Sequence, residues 1–284
     1  MPIATLKNQS WILKVPGAQL YYETEGSGPV LLMIPGGPGD AGGFADLARF
    51  LTDRYAVVRY DPRGNSRSVL ESPPEDQQMD VHGDDAAQLL GALSDQPAYV
   101  LGSSGGAQIG LNLTARYPER VRALVAHEPP CVELLPDTAQ HRVFIEDLYD
   151  TYCTDGVGPA MQKFMTGTGL GGSPQPGNSP PPEAQEAFGR MMGNMDFFFA
   201  HGLKPISFYI PDVATLRAGP VRVVVGVGET SAGQLAHRAA VALAEHLGTA
   251  PASFPGGHGG YGDQPAAFVE RLHEVLHRTS MTLN

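Results

Sequence analysis

The chain of 284 residues is long enough to bury a full core and has room for one or two domains. Its 42% hydrophobic and 17% charged residues are ordinary for a globular protein, and no apolar run approaches the ~18 residues of a membrane span. A net charge of −11 with scattered arginines argues against a nucleic-acid partner, and "MPIATLKNQSWILKV" lacks a signal peptide's apolar core. A cytoplasmic protein without nucleic-acid or membrane partners is expected. Cys131 and Cys153 form no CxxC and no ligand cluster, so they read as small buried apolar residues, and no metal site is expected.

Apolar runs alternate with helical patterns along the chain. "SWILKV" and "AQLYYETEG" predict an opening strand pair, and "PVLLMIPGGPG" a buried strand that runs into a Gly/Pro turn. "FADLARFL" is helical, "YAVVRYDPRG" a strand and "DDAAQLLGAL" a helix, with Asp84 and Asp85 placed at its start and His82 before it. Then come the strand "AYVLG", the helix "AQIGLNLTARY" stopped by Pro118, and the strand "VRALVAHEPP". From Cys131 to Gly219 valine runs give way to Phe, Met and Tyr, and Thr166–Pro182 has the composition of a flexible linker. The strand-helix pattern resumes with "PVRVVVGVGE", "QLAHRAAVALAEHLG", "ASFPGGHGG" and "PAAFVERLHEVLH". The expectation is an α/β fold with a mostly parallel sheet flanked by helices. Residues 1–130 and 220–284 form the core, and 131–219 a helical cap or lid inserted between two strands.

Chemistry concentrates in "YVLGSSGGAQIG". G-x-S-x-G puts a serine on a sharp strand-to-helix turn, where flanking glycines allow close backbone approach. Register selects Ser104, which has Gly102 and Gly106 as flanks, while Ser103 would need a glycine where Leu101 stands. A serine hydroxyl needs a base. Of nine histidines, His237, His246, His273 and His277 lie in helical patterns and read as surface positions, and His141 and His201 fall in the insertion. His258, on a Gly-rich turn between the last strand and the last helix, is the expected base. An oxyanion needs two aligned N–H donors. Gly105 follows the nucleophile, and Gly37 lies in the turn after "VLLMI".

"IPGGPG", "RYDPRGNSRS", "GSSGG" and "FPGGHGGYGDQPAAFVERL", in that order, resemble the α/β-hydrolase superfamily over almost the whole chain. The resemblance implies an eight-stranded, mostly parallel sheet with a lid after the sixth strand. Where the family commonly has His-Gly at the oxyanion turn, this chain has Pro35-Gly36. Serine rather than aspartate at the elbow implies acyl transfer and no cofactor. Two carboxylates compete to orient His258. Glu229, after the seventh predicted strand, stands where most of the family has its acid. Glu128, in "HEPP", resembles the acid of zearalenone-type lactone hydrolases, whose serine-to-glutamate spacing matches the 24 residues found here. Glu128 is preferred and Glu229 is the alternative, while His127 reads as a packed histidine, and Asp61 and Arg63 as loop-fixing residues.

The expected activity is that of a serine hydrolase for an ester or lactone of a hydrophobic small molecule, with Phe- and Met-rich lid residues supplying the pocket. Two alternatives stay open. Proline iminopeptidases share a Gly-Gly-Pro-Gly turn and would need lid acids such as Glu146, Asp147 or Asp150. Some receptors keep the fold without catalysis. Oligomeric state is left open.

Overall fold

The alternation of apolar runs folds into one mixed sheet in the computed structural model, which describes residues 4–170 and 182–277. In chain order its elements are β1 (Ala4–Val15), β2 (Ala18–Gly28), β3 (Val30–Ile34), α1 (Ala45–Arg49), β4 (Ala56–Tyr60), β5 (Val69–Leu70), α2 (Met79–Leu93), β6 (Ala98–Ser103), α3 (Gly105–Arg116) and β7 (Val121–His127). The helices α4 (Thr138–Asp155), α5 (Val157–Thr168), α6 (Pro182–Gly193), α7 (Met195–Phe197), α8 (Leu203–Ser207) and α9 (Val213–Ala218) follow. The chain closes through β8 (Arg222–Gly228), α10 (Leu235–Leu247), β9 (Ala252–Phe254), α11 (Gly260–Asp263) and α12 (Pro265–His277).

The sheet has nine strands, one more than the family resemblance implies: eight form a continuous path in the order β1-β2-β4-β3-β6-β7-β8-β9, and the ninth is the short β5. The two-residue β5 pairs with β2 off that path, so the fifth to eighth predicted strands are β6 to β9. From β4 to β9 neighbouring strands are parallel, while β1, β2 and β4 pair antiparallel. Strands β3, β4 and β6 are buried at every position, because helices cover both faces of the parallel region. Alternate side chains serve the two faces. Leu32, Val58 and Val100 pack toward α2 and α3, while Leu31, Val57 and Leu101 pack toward α1 and α12.

Between β7 and β8 every described element is helical, as the loss of valine runs predicts. Buried residues of the insertion among those described pack into the main core. Phe198, Phe199, Leu203 and Ile206 belong to the same buried cluster as Leu32, Ile34 and Ala107. Of the linker-like stretch, Thr166–Thr168 close α5, and residues 171–181 lie outside the described residues. No helix among the described residues is long and apolar enough to cross a membrane.

Three local readings need correction. Helix α2 starts at Met79, so His82, Asp84 and Asp85 lie inside it rather than at its entrance. Asp85 is buried because Arg63 binds it with two nitrogens, at 2.7 and 2.5 Å, a tertiary pairing that no local pattern encodes. Cys153 is exposed, unlike the buried Cys131. Asp61 does fix a loop: it accepts from the Ala41 and Arg67 backbone N–H groups and from the Arg67 guanidinium.

Candidate active site

The site lies where the carboxyl ends of β3, β6, β7, β8 and β9 meet the following turns. Ser104 leaves β6 with φ +54° and ψ −127°, a conformation that L-residues adopt only under constraint. The constraint is the close approach of neighbouring backbone. A Cβ on Gly102 would stand 2.4 Å from the Gly106 carbonyl oxygen, and one on Gly106 would stand 2.1 Å from that of Ile34. Glycine is therefore required on both sides of the elbow. The Ser104 N–H donates to the His127 carbonyl at 2.9 Å, which ties the turn to the end of β7.

The turn after β3 wraps around this elbow. A Cβ on Gly36 would lie 2.6 Å from Ser104 Cβ, and one on Gly105 only 3.2 Å from the Gly37 nitrogen. The two predicted donors, Gly37 and Gly105, are thus neighbours in space. Gly37 has φ +51°, which glycine adopts without penalty. From the insertion, Phe198 and Ile206 come close to the positions that Cβ atoms on Gly37 and Gly105 would take, at 3.5 Å each.

His258 sits on the turn after β9. That turn packs tightly on the end of β8: a Cβ on Gly228 would lie 2.7 Å from Gly257, and the Thr230 N–H donates to the Gly256 carbonyl at 3.0 Å. His258 Nδ1 is 2.7 Å from Glu128 Oε2. Glu128 is fully buried, with φ +47°, and its side chain crosses the end of β8 to reach the next strand's loop. Its Oε1 accepts the Gly228 N–H at 2.8 Å and the Ser231 hydroxyl. Burial alone would push this carboxyl up, but the hydrogen bonds from His258, Ser231 and Gly228 outweigh it and hold the group at about 2. Glu229 is exposed, and its N–H is taken by the Phe254 carbonyl at 3.0 Å. The structure therefore brings Glu128, and not Glu229, to His258. Ser231 is the member of this cluster that the sequence reading missed. A serine two residues after Glu229 carries no motif, and only its burial against Glu128 marks it.

His127 is buried in a ring of aromatics, edge-on to Phe254, Phe268 and Tyr261. Burial pushes its imidazole down to about 4, with the Glu128 carboxylate partly opposing. Its folded value thus lies below the ordinary 6.5. Between those values the unfolded chain binds a proton that the native state refuses, so stability falls as pH drops from 6.5 toward 4. His127→Leu should reduce the slope of unfolding free energy against pH by up to about 1.4 kcal/mol per pH unit in that window. Urea unfolding at a series of pH values measures this, and an unchanged slope would mean that His127 is charged in the native state.

Among the described residues no three His, Cys, Asp or Glu side chains stand where they could share a metal ion.

Comparison with known proteins agrees with this architecture. Residues 29–153 match the model of the alpha/beta hydrolase fold. The chain is 36% identical over 274 residues to YraK, an uncharacterized hydrolase of Bacillus subtilis (strain 168), covering 94% of this chain and 95% of that one. It is 39% identical over 127 residues to a zearalenone hydrolase of Cladophialophora bantiana, a match covering 43% of this chain and 47% of the relative. A crystal structure of a hydrolase from Pseudomonas aeruginosa PA01 superposes with a TM-score of 0.73 at 22% identity, over 96% of this chain and all of that one. The family-model match and a hydrolase relative 36% identical over 94% of the chain, on the sheet and turns just described, place this chain in the α/β-hydrolase superfamily, as a hydrolase of that type.

Proposed function

We propose that the protein is a serine hydrolase that cleaves an ester or lactone bond of a hydrophobic small molecule through an acyl-enzyme, without a cofactor. Ser104 Oγ attacks the carbonyl carbon while its proton passes to His258 Nε2. The N–H groups of Gly37 and Gly105 hold the oxyanion of the tetrahedral intermediate. Collapse expels the alkoxide, which takes the proton back from His258. Water then attacks the acyl carbonyl with the same imidazole as base, releasing the acid and free Ser104. Glu128 accepts Nδ1–H, which leaves the Nε2 lone pair free toward Ser104 and stabilises the imidazolium as it forms. The observation that carries this reading is the 2.7 Å contact between His258 Nδ1 and a fully buried carboxylate, one residue beyond the strand end that anchors the Ser104 turn.

Phe198 and Ile206, next to the two proposed donors, support an apolar acyl group, and the insertion then acts as a lid. Two of the three lid acids that an aminopeptidase would need, Glu146 and Asp147, are paired with lysines. Lys204 pairs with Glu146 and Lys163 with Asp147, both at 2.5 Å on an exposed helix face. This favours the ester over the peptide reading.

A panel of p-nitrophenyl esters with EDTA present, alongside prolyl p-nitroanilide, tests the proposal. Esters should turn over with an initial burst, and kcat/KM should rise from acetate to hexanoate by up to about fourfold per methylene, the equivalent of ~0.8 kcal/mol of apolar burial. The arylamide should stay intact. Failure on every ester, or turnover of the arylamide alone, would overturn the assignment, and a flat chain-length profile would remove the apolar pocket.

A further inference from the structure

The turn after β3 is held by two side-chain amides, one from the sheet core and one from the helical insertion. Asn65 Nδ2 donates to the carbonyls of Gly37 and Gly39, at 3.0 and 2.9 Å. Asn194, between α6 and α7, donates from Nδ2 to the intervening Pro38 carbonyl at 2.8 Å. Three successive carbonyls of this turn are thus engaged by just two amides. The Gly39 N–H closes the turn on the Gly36 carbonyl at 2.9 Å. In a trans peptide the C=O and the following N–H point in opposite directions. Fixing the Gly36 carbonyl therefore fixes the direction of the Gly37 N–H, opposite to that carbonyl, and the Gly37 nitrogen lies beside Gly105.

The insertion's grip on this turn is a closed polar network. Ser66, which leaves the β4 loop with φ +47°, donates its N–H to Asn194 Oδ1 at 2.7 Å, and its hydroxyl accepts from Asn194 Nδ2 at 2.9 Å. The Ser66 hydroxyl in turn donates to Asp40 Oδ2 at 2.9 Å, and the same oxygen takes Arg190 Nε of α6 at 2.5 Å. Asp40 is 2% exposed and Asn194 6%, so these bonds are shielded from competing water. Besides Ser104 and Glu128, Ser66 is the one non-glycine residue at positive φ among those described, and its strained N–H serves this contact with the insertion.

We propose that Asn194 and Arg190 are positioning residues through which the seating of the lid sets the oxyanion turn, so that the Gly37 N–H is aligned only when the lid is docked. This rests on the serine-hydrolase reading, with Gly37 as an oxyanion donor. Such a role has a specific kinetic signature. A misaimed donor weakens transition-state binding but not ground-state binding, so kcat falls while KM holds.

The test compares the wild type, Asn194→Asp, Arg190→Met, Arg190→Lys and, as a control, Tyr152→Phe. Asn194→Asp keeps an acceptor for the Ser66 N–H but loses both donated bonds. Arg190→Met keeps the stem of a partly exposed side chain and guards against a folding failure of the buried variant. Tyr152→Phe cuts a bond within the insertion, to Asp196, without touching the turn. The readouts are kcat and KM on p-nitrophenyl butyrate, Ki for an alkyl boronic acid as a tetrahedral mimic, the unfolding midpoint, and labelling by a serine-reactive phosphonate. Asn194→Asp should lose at least about tenfold in kcat with KM within twofold, as expected for a donor misaimed rather than removed, and its boronate Ki should rise by a similar factor. Arg190→Met should move both in the same direction, Arg190→Lys should restore most of the loss, and Tyr152→Phe should stay near wild type. Wild-type kcat in a folded Asn194→Asp, or an equal loss in Tyr152→Phe, would overturn the proposal. Phosphonate labelling of the wild type at a residue other than Ser104 would instead overturn the serine-hydrolase reading beneath it.

Discussion

Ser104→Ala should lose at least about a thousandfold in kcat toward p-nitrophenyl esters, because it removes the atom that forms the acyl-enzyme. The variant should also remain folded. Alanine is an L-residue of smaller volume, so it carries the same backbone strain at φ +54° and adds no bulk to a turn already crowded by Gly36 and Gly106. The unfolding midpoint is therefore expected near wild type, which separates lost chemistry from lost structure. Ser103→Ala should keep most activity, because Ser103 is the last residue of β6 and its side chain is buried. A fluorescent phosphonate should label the wild type at Ser104 alone, as read by mass spectrometry of the digested adduct. An active Ser104→Ala, or an adduct elsewhere, would remove the mechanism.

Glu128→Gln should lose at least about a hundredfold in kcat, and the loss can approach ten-thousandfold when a triad histidine takes the wrong tautomer. The local donors explain why glutamine is a poor substitute. Oε1 of Glu128 faces two donors, the Gly228 N–H and the Ser231 hydroxyl. A glutamine keeps its single oxygen there, because its NH₂ group facing two donors would leave all of them unpaired. The NH₂ then faces His258 Nδ1 and donates to it, so the ring proton moves to Nε2, where it cannot accept from Ser104. Glu229→Gln should lose less than about tenfold, since Glu229 is exposed and only its backbone takes part in local bonding. Steady-state kinetics on one ester decide between them. If the losses are reversed, the acid that orients His258 is the one following β8.

Much of this architecture is written in short-range pattern. Runs such as "VLLMI" and "AYVLG" are apolar at every position because parallel central strands are buried on both faces, and both become fully buried strands of the sheet. The choice of Ser104 over Ser103 is also local, since glycine is needed wherever backbone passes within 2.4 Å of a Cβ position. The loop carrying His258 is legible as glycine-rich punctuation between a strand and an amphipathic helix.

Other features depend on residues far apart in the chain. Glu128 and Glu229 both stand at strand ends with comparable claims on His258. Only the order β7-β8-β9 and the tight packing of Gly257 on Gly228 let the Glu128 carboxylate cross β8, while Glu229 turns to solvent. Burial of Asp85 inside α2 follows the Arg63 pairing, against the usual preference of aspartate for a helix entrance, and the buried His82 meets Gln77 at 2.8 Å. The amides of Asn65 and Asn194, 129 residues apart in sequence, meet three carbonyls of the turn after β3. By itself the sequence determined where the central strands, most of the helices and the strained Ser104 turn fall, because those follow from periodicity and from the steric needs of single residues. The tertiary structure alone decided which buried polar groups satisfy one another, because burial favours pairing such groups and the partner is set by the packing of distant segments.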